Sequence, residues 1–427
     1  MNVRRSAAVV AVLIVAAGLG TGLGTGFAPA ALADDGSPAP SASPSQAIPT
    51  GLYGSNDPTY DGVWRQSLAL LALDTVGEKP GAGAVEWLVG QQCASGAFAA
   101  YRADATAKCD AKTALDTNST AAAVQALAAV GGRGAEAGRA VRWLKENQND
   151  DGGWGYSAGG PSDANSTSVV IGALTAVGDA PEKQEKSGES PYDALRALAV
   201  PCGGDSEKNG GGFAYQPDKK GGLAANADAT AAAVLGVLGE GFVAEAGDGE
   251  GSAGKCAAGD SPADLAHNGA VHLAGDLTAD GYLKSSLAGA EDQPDHGNTA
   301  DAVVALAAAG DEDATRKPLS WLEKNHGVWA AKAGPAAYAQ LLFAVHATGG
   351  DPRDFGGTDL VAQLKDTGPA RDVDDYSSVP VDEEAYYDGG TDDGTWWKIG
   401  LAGVLAAIVA VVAGFVLAKA RRKRREG

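Results

Sequence analysis

The sequence predicts an all-α protein built as a double ring of helices, an α6/α6 toroid, with a single transmembrane helix at its C-terminus. Two kinds of helix alternate along the chain, most of them stop at a glycine, and a turn of glycine and an aromatic residue recurs between them. Helices that are apolar nearly all round must be buried, whereas amphipathic helices face solvent. Six helices of each kind therefore predict an inner and an outer ring, with an open solenoid of helix pairs as the alternative.

The inner helices are predicted where polar residues precede a run of Ala, Val and Leu that ends at a glycine, a usual helix terminator. These segments are 61–77, 116–131, 163–178, 226–239, 295–310 and 334–349. The outer helices carry charged residues on one face. They are predicted at 82–91, 135–147, 191–200, 262–277, 314–324 and 354–365.

The connection from an outer to an inner helix repeats a spaced pattern of leucine, glutamine, glycine and an aromatic residue. Glycine permits a tight turn, and the aromatic ring can fill the gap between neighbouring helix pairs. Shorter echoes occur at 62–64, 211–213, 281–282 and 327–329. The two full matches are Leu88, Gln92, Gly96 and Phe98, and Leu144, Gln148, Gly152 and Trp154.

These turns resemble the QW repeats of the terpenoid cyclase and protein prenyltransferase α/α-toroid superfamily, over about residues 52–366. That resemblance implies the fold but not the activity, since the toroid hosts several functions. The stretch LDTNSTAAAVQALAAVG at 115–131 is similar to the inner-helix starts of cobalamin carriers of the intrinsic factor and transcobalamin type. This second resemblance implies a corrinoid-like ligand. Those carriers close over their ligand with a small β domain, so a separate exported chain is expected to supply that lid and a membrane importer to receive the ligand.

Polar residues cluster at the start of four predicted inner helices. Asp, Asn, Ser and Thr at a helix start accept hydrogen bonds from free backbone N–H groups, which stabilises the helix by about 1 kcal/mol per cap. Because the inner helices of a toroid run parallel, these residues are also expected to converge at one mouth of the barrel, above an interior lined by Ala and Val. Convergent polar groups around an apolar cavity suit a small molecule, here one rich in amide or hydroxyl groups. The predicted rim consists of Asp116, Asn118, Asp163, Asn165, Asn226, Asp228, Asp295 and Asn298.

The catalytic motifs of the resembling enzymes are missing or misplaced. Protein prenyltransferases hold zinc with an Asp-x-Cys pair and a distant His, and no cysteine here has Asp two residues before it. The D-x-D-D acid motif of class II terpene cyclases matches 372–375, but this acidic stretch follows the last predicted helix, where burial cannot raise a carboxyl pKa. Aromatic residues form only 6% of the chain, which leaves few π faces for a carbocation. No catalytic residue and no metal site is therefore predicted, although a carboxylate pair of the glycosidase kind stays open.

Both ends of the chain carry targeting features. Residues 1–33 have the basic start, apolar core and Ala-x-Ala site of a secretory signal peptide, and 34–51 form a Pro/Ser/Ala-rich linker expected to be disordered. Residues 367–397 form an acidic tether, 398–418 an apolar segment long enough to span a bilayer, and 419–427 a basic tail. We expect a single-pass protein of the bacterial cell membrane, with the toroid at 52–366 outside and the tail in the cytoplasm.

Charge and cysteine usage agree with an exported protein. The net charge of −21 disfavours nucleic acid as a partner. Four cysteines, without metal-ligand spacing, are expected to form the disulfides Cys93–Cys109 and Cys202–Cys256. The sequence thus favours a membrane-anchored, non-catalytic toroid that binds a small molecule or a partner protein. The alternatives are an enzyme acting on an isoprenoid, like a prenyltransferase or terpene cyclase, and a structural scaffold of the cell surface.

Overall fold

The computed structural model describes residues 48–203, 210–249, 251–252, 255–286 and 292–369. Twelve α-helices and two short hairpins lie in these residues. The helices in chain order are α1 (Gly62–Thr75), α2 (Ala82–Gly90), α3 (Thr117–Val130), α4 (Gly134–Glu146), α5 (Ala164–Ala176), α6 (Pro191–Leu198), α7 (Ala227–Val237), α8 (Pro262–Leu277), α9 (His296–Ala308), α10 (Glu312–Ala333), α11 (Pro335–Ala347) and α12 (Leu360–Asp366). In the hairpins, β1 (Phe98–Ala99) pairs with β2 (Leu115–Asp116), and β3 (Leu283–Lys284) with β4 (Pro294–Asp295), both antiparallel.

The odd-numbered helices form a closed inner ring. Each of α1, α3, α5, α7, α9 and α11 packs on the next in chain order, and α11 packs on α1. The even-numbered helices lie outside, each packed on the inner helix that precedes or follows it. The N–H of Gly54 donates to the carbonyl of Thr367 (2.8 Å), so the two ends of the domain meet. The predicted α/α toroid is confirmed, and the open solenoid is wrong.

Burial separates the two rings as their sequences predicted. Residues 164–174 of α5 are buried without interruption, whereas the charged face of α4 is exposed. The many Ala side chains let the inner helices pack closely, because larger side chains at the contacts would hold the helix axes apart.

The two full glycine–aromatic turns serve the role predicted for them. Gly96 and Gly152 have φ values of +97° and +82°, and a Cβ on either would lie 2.2 Å from a backbone carbonyl oxygen of the following helix pair. Trp154 is 1% exposed, and its Nε1 donates to the carbonyl of Leu144 (2.7 Å). The glutamine of the turn bonds within the turn and to the connection after α5: Gln148 Nε2 donates to the carbonyls of Gly152 (2.8 Å) and Gln184 (3.1 Å). The aromatic positions, Phe98 and Trp154, are both buried.

Two of the shorter echoes are not turns. Residues 62–64 form the first turn of α1, and 327–329 lie inside α10, which runs nine residues past its predicted end at 324 to Ala333. Glycine at 327 is tolerated because a single glycine within a helix costs only about 1 kcal/mol relative to alanine. The predicted helix 354–365 is also wrong at its start. There Phe355 and Thr358 close a tight turn with positive φ at both glycines, and α12 begins at Leu360.

Both predicted disulfides are confirmed. Cys93 pairs with Cys109 (Cα–Cα 5.7 Å) and Cys202 with Cys256 (Cα–Cα 5.6 Å). Cys93–Cys109 closes the connection between α2 and α3, whereas Cys202–Cys256 joins the connections before and after α7. Both bridges reduce the entropy of the unfolded chain.

The predicted targeting segments lie outside the described residues. These are the signal peptide at 1–33, most of the linker and tether, the apolar segment at 398–418 and the tail at 419–427, together with the D-x-D-D motif at 372–375. Among the helices of the described residues, none is both long and apolar enough to cross a membrane. Part of the predicted linker does have ordered contacts, since a Cβ on Gly51 would lie 2.5 Å from the carbonyl oxygen of Gly83.

Candidate ligand site at the barrel mouth

The mouth is the end of the inner ring at which α3, α5, α7 and α9 begin. A threonine in the first turn of each of these helices ties it to the turn before it. Thr120 Oγ1 accepts a hydrogen bond from the N–H of Phe98 (2.9 Å), a group that would otherwise be buried without a partner. These threonines are therefore structural. The equivalent pairs are Thr167 with Trp154, Thr230 with Phe213 and Thr299 with Leu283.

Four of the eight predicted rim residues are helix caps. Asp116 Oδ1 accepts from the N–H of Ser119 (2.8 Å), and Asp163 Oδ1 from the N–H of Ser166 (2.7 Å). Each such bond satisfies one of the free N–H groups at a helix start. The capping interpretation is confirmed for Asp116, Asp163, Asn226 and Asp295.

Three further rim residues stand two positions after a cap and do not cap. They are Asn118, Asn165 and Asp228. Asn165 Nδ2 donates to Asp228 Oδ2 (2.8 Å), which joins the starts of α5 and α7. The exchange of Asp and Asn in α7 thus places a carboxylate beside an amide. The eighth residue, Asn298, lies next to its own cap, with Nδ2 donating to Asp295 Oδ2 (2.9 Å).

Two tyrosines that were not predicted from the sequence also lie at the mouth. Tyr156 and Tyr215 each follow the aromatic residue of a turn by two positions. The carbonyl of Tyr156 accepts from the N–H of Thr117 (2.9 Å) at the start of α3, and that of Tyr215 from Ala164 (3.1 Å) at the start of α5. Each tyrosine therefore comes from one repeat and contacts the inner helix of the repeat before it. The repeated aromatic-x-Tyr sequence was the signal from which these two tyrosines could have been predicted.

The tyrosine hydroxyls face the cap carboxylates. Tyr215 Oη donates to Asp163 Oδ2 at 3.4 Å, and the hydroxyl of Tyr156 lies beside Asp116. Burial, reinforced by these carboxylates, raises the pKa of both tyrosines, so both hydroxyls stay protonated.

Burial also raises the pKa values of the mouth carboxyls. The pKa of Asp163 rises to about 7, because its loss of solvent outweighs its hydrogen bonds from Ser166 and Tyr215. The pKa of Asp228 rises to about 6, again through burial, with a smaller contribution from the charge of Asp295. The pKa of Asp116 is raised for the same reason. Among the described residues, none of Asp116, Asp163 and Asp228 forms an ion pair with Lys or Arg.

Several acceptor oxygens at the mouth have no partner within the described part of the chain. Asn118 is 3% exposed and Asn165 is 2% exposed, yet neither side-chain Oδ1 accepts a hydrogen bond. Asn298 Oδ1 is in the same state. For Asn165 the amide orientation is fixed, because only the NH2 group can donate to the carboxylate of Asp228. A buried acceptor without a partner costs about 1–3 kcal/mol, which a donor from a ligand recovers.

The mouth is not arranged as a metal site. In the stretches of chain that the structure describes, no group of three or more His, Cys, Asp or Glu is placed to hold a metal ion. Of the histidines, His272 and His326 are buried in outer helices and His346 pairs with Glu245 (3.0 Å).

The opposite end of the ring is filled by the chain itself. We call residues 240–244, which follow α7, the plug. Phe242 is fully buried, with its ring 5.4 Å from that of Trp64 in α1 and 6.5 Å from that of Phe343 in α11. The N–H of Phe242 donates to Gln125 Oε1 (2.9 Å) in the C-terminal half of α3. The interior is therefore partly aromatic, in contrast to the lining of Ala and Val that the sequence predicted.

Comparisons with known proteins add little to this description. No family model matches the chain, and no curated protein matches it. Solved structures that share part of its shape include a protein from Actinoplanes (TM-score 0.46, 15% identity, covering 71% of this chain and 95% of that one). A type II terpene cyclase, MstE from Scytonema, has a TM-score of 0.41 and 16% identity, covering 64% and 73%. A sugar epimerase from a ruminal bacterium has a TM-score of 0.42 and 15% identity, covering 65% and 80%. At these low identities and TM-scores, the similarities support no inference about function.

Proposed function

We propose that this chain is an exported, membrane-tethered toroid that binds a small molecule at its mouth without transforming it. The observation that carries the proposal is the set of buried amide oxygens on α3 and α5 that have no partner among the described residues. The carboxyls of the mouth likewise form no ion pair with a described Lys or Arg. A site made of acceptors suits a ligand that donates hydrogen bonds. An anionic ligand such as a diphosphate fits poorly, since the carboxylates repel it more than the helix N-termini attract it.

The ring is closed at one end, which supports binding of a ligand at the mouth rather than movement of a ligand through the ring. The plug closes the ring from the end opposite the mouth, and the aromatic rings of Trp64 and Phe242 lie inside the ring. A ligand held at the mouth by its polar edge matches that arrangement. A corrinoid, with amide groups around an apolar ring, is one such ligand. In this proposal a small β-rich partner covers the mouth and a membrane importer receives the ligand.

An enzyme acting on an isoprenoid is the second candidate. Two observations favour it beyond the resemblance of the turns. The carboxyls of Asp163 and Asp228 have pKa values of about 7 and about 6, so either holds or releases a proton near neutral pH. The cluster of Trp64, Phe242 and Phe343 also places aromatic rings inside the ring, and their π faces become accessible to a substrate only when the plug moves.

A fluorescence titration distinguishes the two candidates. Full-length protein is titrated with hydroxocobalamin and with farnesyl diphosphate, tryptophan emission is corrected for ligand absorbance, and products are analysed after incubation. Binding predicts saturable quenching by the corrinoid that N165A weakens at least about fivefold, with no product formed. The matched control N147A removes an amide from the end of the outer helix α4 and is expected to leave the titration unchanged.

The outcomes separate cleanly. Saturation by the diphosphate with a new product that disappears in D163N establishes the enzyme and ends the binding proposal. Quenching that N165A and N147A affect equally shows that the ligand lies away from the mouth, which also contradicts the proposal.

A further inference from the structure

Two of the mouth's polar groups are copies of one arrangement. In each, the tyrosine of the following repeat lies beside the cap carboxyl of an inner helix, and the amide oxygen two residues after the cap is buried without a partner in the described chain. The first triad consists of Asp116, Asn118 and Tyr156, and the second of Asp163, Asn165 and Tyr215. The caps bind their helices with nearly equal distances, 2.8 Å and 2.7 Å, and the tyrosine carbonyls do the same at 2.9 Å and 3.1 Å.

The duplication stops at these two helices. In α7 the cap is Asn226, and the position of the tyrosine in the next repeat is occupied by Ser285. In α1 the corresponding carbonyl is that of Ala100, which accepts from the N–H of Val63 (2.9 Å). The backbone contact therefore recurs where no tyrosine is present, so this contact does not require the side chains of Tyr156 and Tyr215.

What each triad lacks is a donor with several hydrogens. Its amide oxygen is buried without a partner in the described chain, and its carboxyl lies beside a tyrosine hydroxyl and forms no ion pair with a described Lys or Arg. A primary ammonium group carries three donors and no acceptor. It therefore matches one carboxylate, one amide oxygen and one tyrosine oxygen. The N-terminus of a helix opposes a cation with about half a positive charge, but carboxylates on α3, α5, α7 and α9 outweigh it.

We propose that the two triads together bind a linear molecule with an ammonium group at each end. This inference rests on the proposed function and specifies the ligand class of the same site. Because α3 and α5 are neighbours in the ring, their axes lie roughly 8–10 Å apart, and the two ammonium groups must be separated by a similar distance.

Calorimetric titration of the full-length protein tests the proposal at a pH of about 8, above the pKa of about 7 of the Asp163 carboxyl. The probes are hexamethylenediamine, which is long enough to span the triads, ethylenediamine, which is too short, and hexylamine, which has one ammonium group. Hexamethylenediamine is expected to bind at least about ten times more tightly than either of the others, because its second contact is intramolecular.

Variants then separate the triads. N118A and, independently, Y156F are expected to reduce the affinity for hexamethylenediamine to that for hexylamine, while hexylamine itself keeps the second triad and loses no more than about threefold. N165A and Y215F are expected to do the same from the other side. N147A is the matched control outside the mouth, and circular dichroism establishes that each variant is folded.

Three results overturn the inference: no saturable binding of hexamethylenediamine, equal affinities for the diamine and hexylamine, or affinities that the four variants leave unchanged. The proposed function fails separately. If hydroxocobalamin binds and N165A weakens it while both amines fail, the mouth is a ligand site and only the diammonium assignment is wrong.

Discussion

The two ends of the inner ring are built from the same helices and treat their polar groups in opposite ways. At the mouth, the amide oxygens of Asn118 and Asn165 are buried without partners within the described residues. At the plugged end, both atoms of the Gln125 amide are used: Oε1 accepts from Phe242 and Nε2 donates to the carbonyl of Val169 (3.2 Å). Among the described residues, the buried amide oxygens without partners are those of Asn118, Asn165 and Asn298, and all three lie at the mouth. This distribution is as expected of a binding site at that end.

The strongest test of the plugged end is removal of its aromatic ring. F242A deletes a fully buried ring between Trp64 and Phe343 and leaves a cavity, so it is expected to lower the free energy of unfolding by about 3–5 kcal/mol. Urea denaturation followed by circular dichroism measures the loss. V328A, at a position 87% exposed on α10, is the control and should change stability by less than about 0.5 kcal/mol. A loss below about 1 kcal/mol in F242A would show that the plug is not packed in the ring.

The mouth is probed through its titration. The pKa of Asp163 is about 7 in the folded protein, above the ordinary value of 3.8, so its ionised form is penalised on folding. This penalty is absent below pH 3.8, grows as the pH rises, and is complete above about pH 7. The groups that face it are Ser166, Tyr215 and Asp228.

We therefore expect the difference in free energy of unfolding between D163N and the unmodified protein to grow by about 2–3 kcal/mol, in favour of D163N, as the pH rises from 5 to 8. This growth corresponds to roughly two pKa units. Asparagine keeps the cap, as Asn226 shows by accepting from the N–H of Ala229 (3.0 Å). Denaturation at several pH values measures the difference. D260N, at an exposed aspartate, is the control, and its free energy of unfolding should depend on pH as that of the unmodified protein does. The same pH dependence in D163N would contradict the burial of the Asp163 charge.

The smallest expected effect concerns the contact between the plug and α5. A Cβ on Gly172 would lie 2.3 Å from the Cα of Gly241, so G172A must move the plug or α5 and is expected to lose about 1–3 kcal/mol. The matched control is G138A in α4, where no atom lies within 4 Å of the new Cβ. There alanine should stabilise the helix by about 0.5–1 kcal/mol. Thermal unfolding of both variants gives the sign, and equal gains in both would show that the plug does not press on α5.

The inner helices were predictable from sequence because their ends carry local chemical signals. Asp116 and Gly131 bracket α3, and the structure begins and ends that helix within a residue of them. The length of α10 was not predictable in the same way. Its interior contains Pro318 and Gly327, which usually mark helix ends, and the continuous helix packs on α8, α9 and α11.

The sequence predicted which residues lie at the mouth but not which hydrogen bonds they form. Alignment of the helix starts identified the eight rim residues, yet it could not divide caps from the three that follow caps, because Asp and Asn serve both purposes. The plug escaped notice because a loop of five residues has no periodicity. Its sequence, EGFVA, is nevertheless the apolar part of a connection that is otherwise polar and acidic.

The contact of α11 with α1 has a consequence for how such a protein changes over evolution. An open stack of repeats can gain or lose a copy at either end, but a closed ring cannot do so without breaking the contact that seals it. The copy number is therefore fixed, and new specificity has to arise by divergence of single copies. The copies that begin with α3 and α5 have the same Asp-x-Asn-Ser-Thr sequence, and in α7 the Asp and Asn are exchanged. In α1, Arg65 occupies the position at which four other copies have threonine. Six copies of one helix pair have in this way become a ring with a distinct front and back.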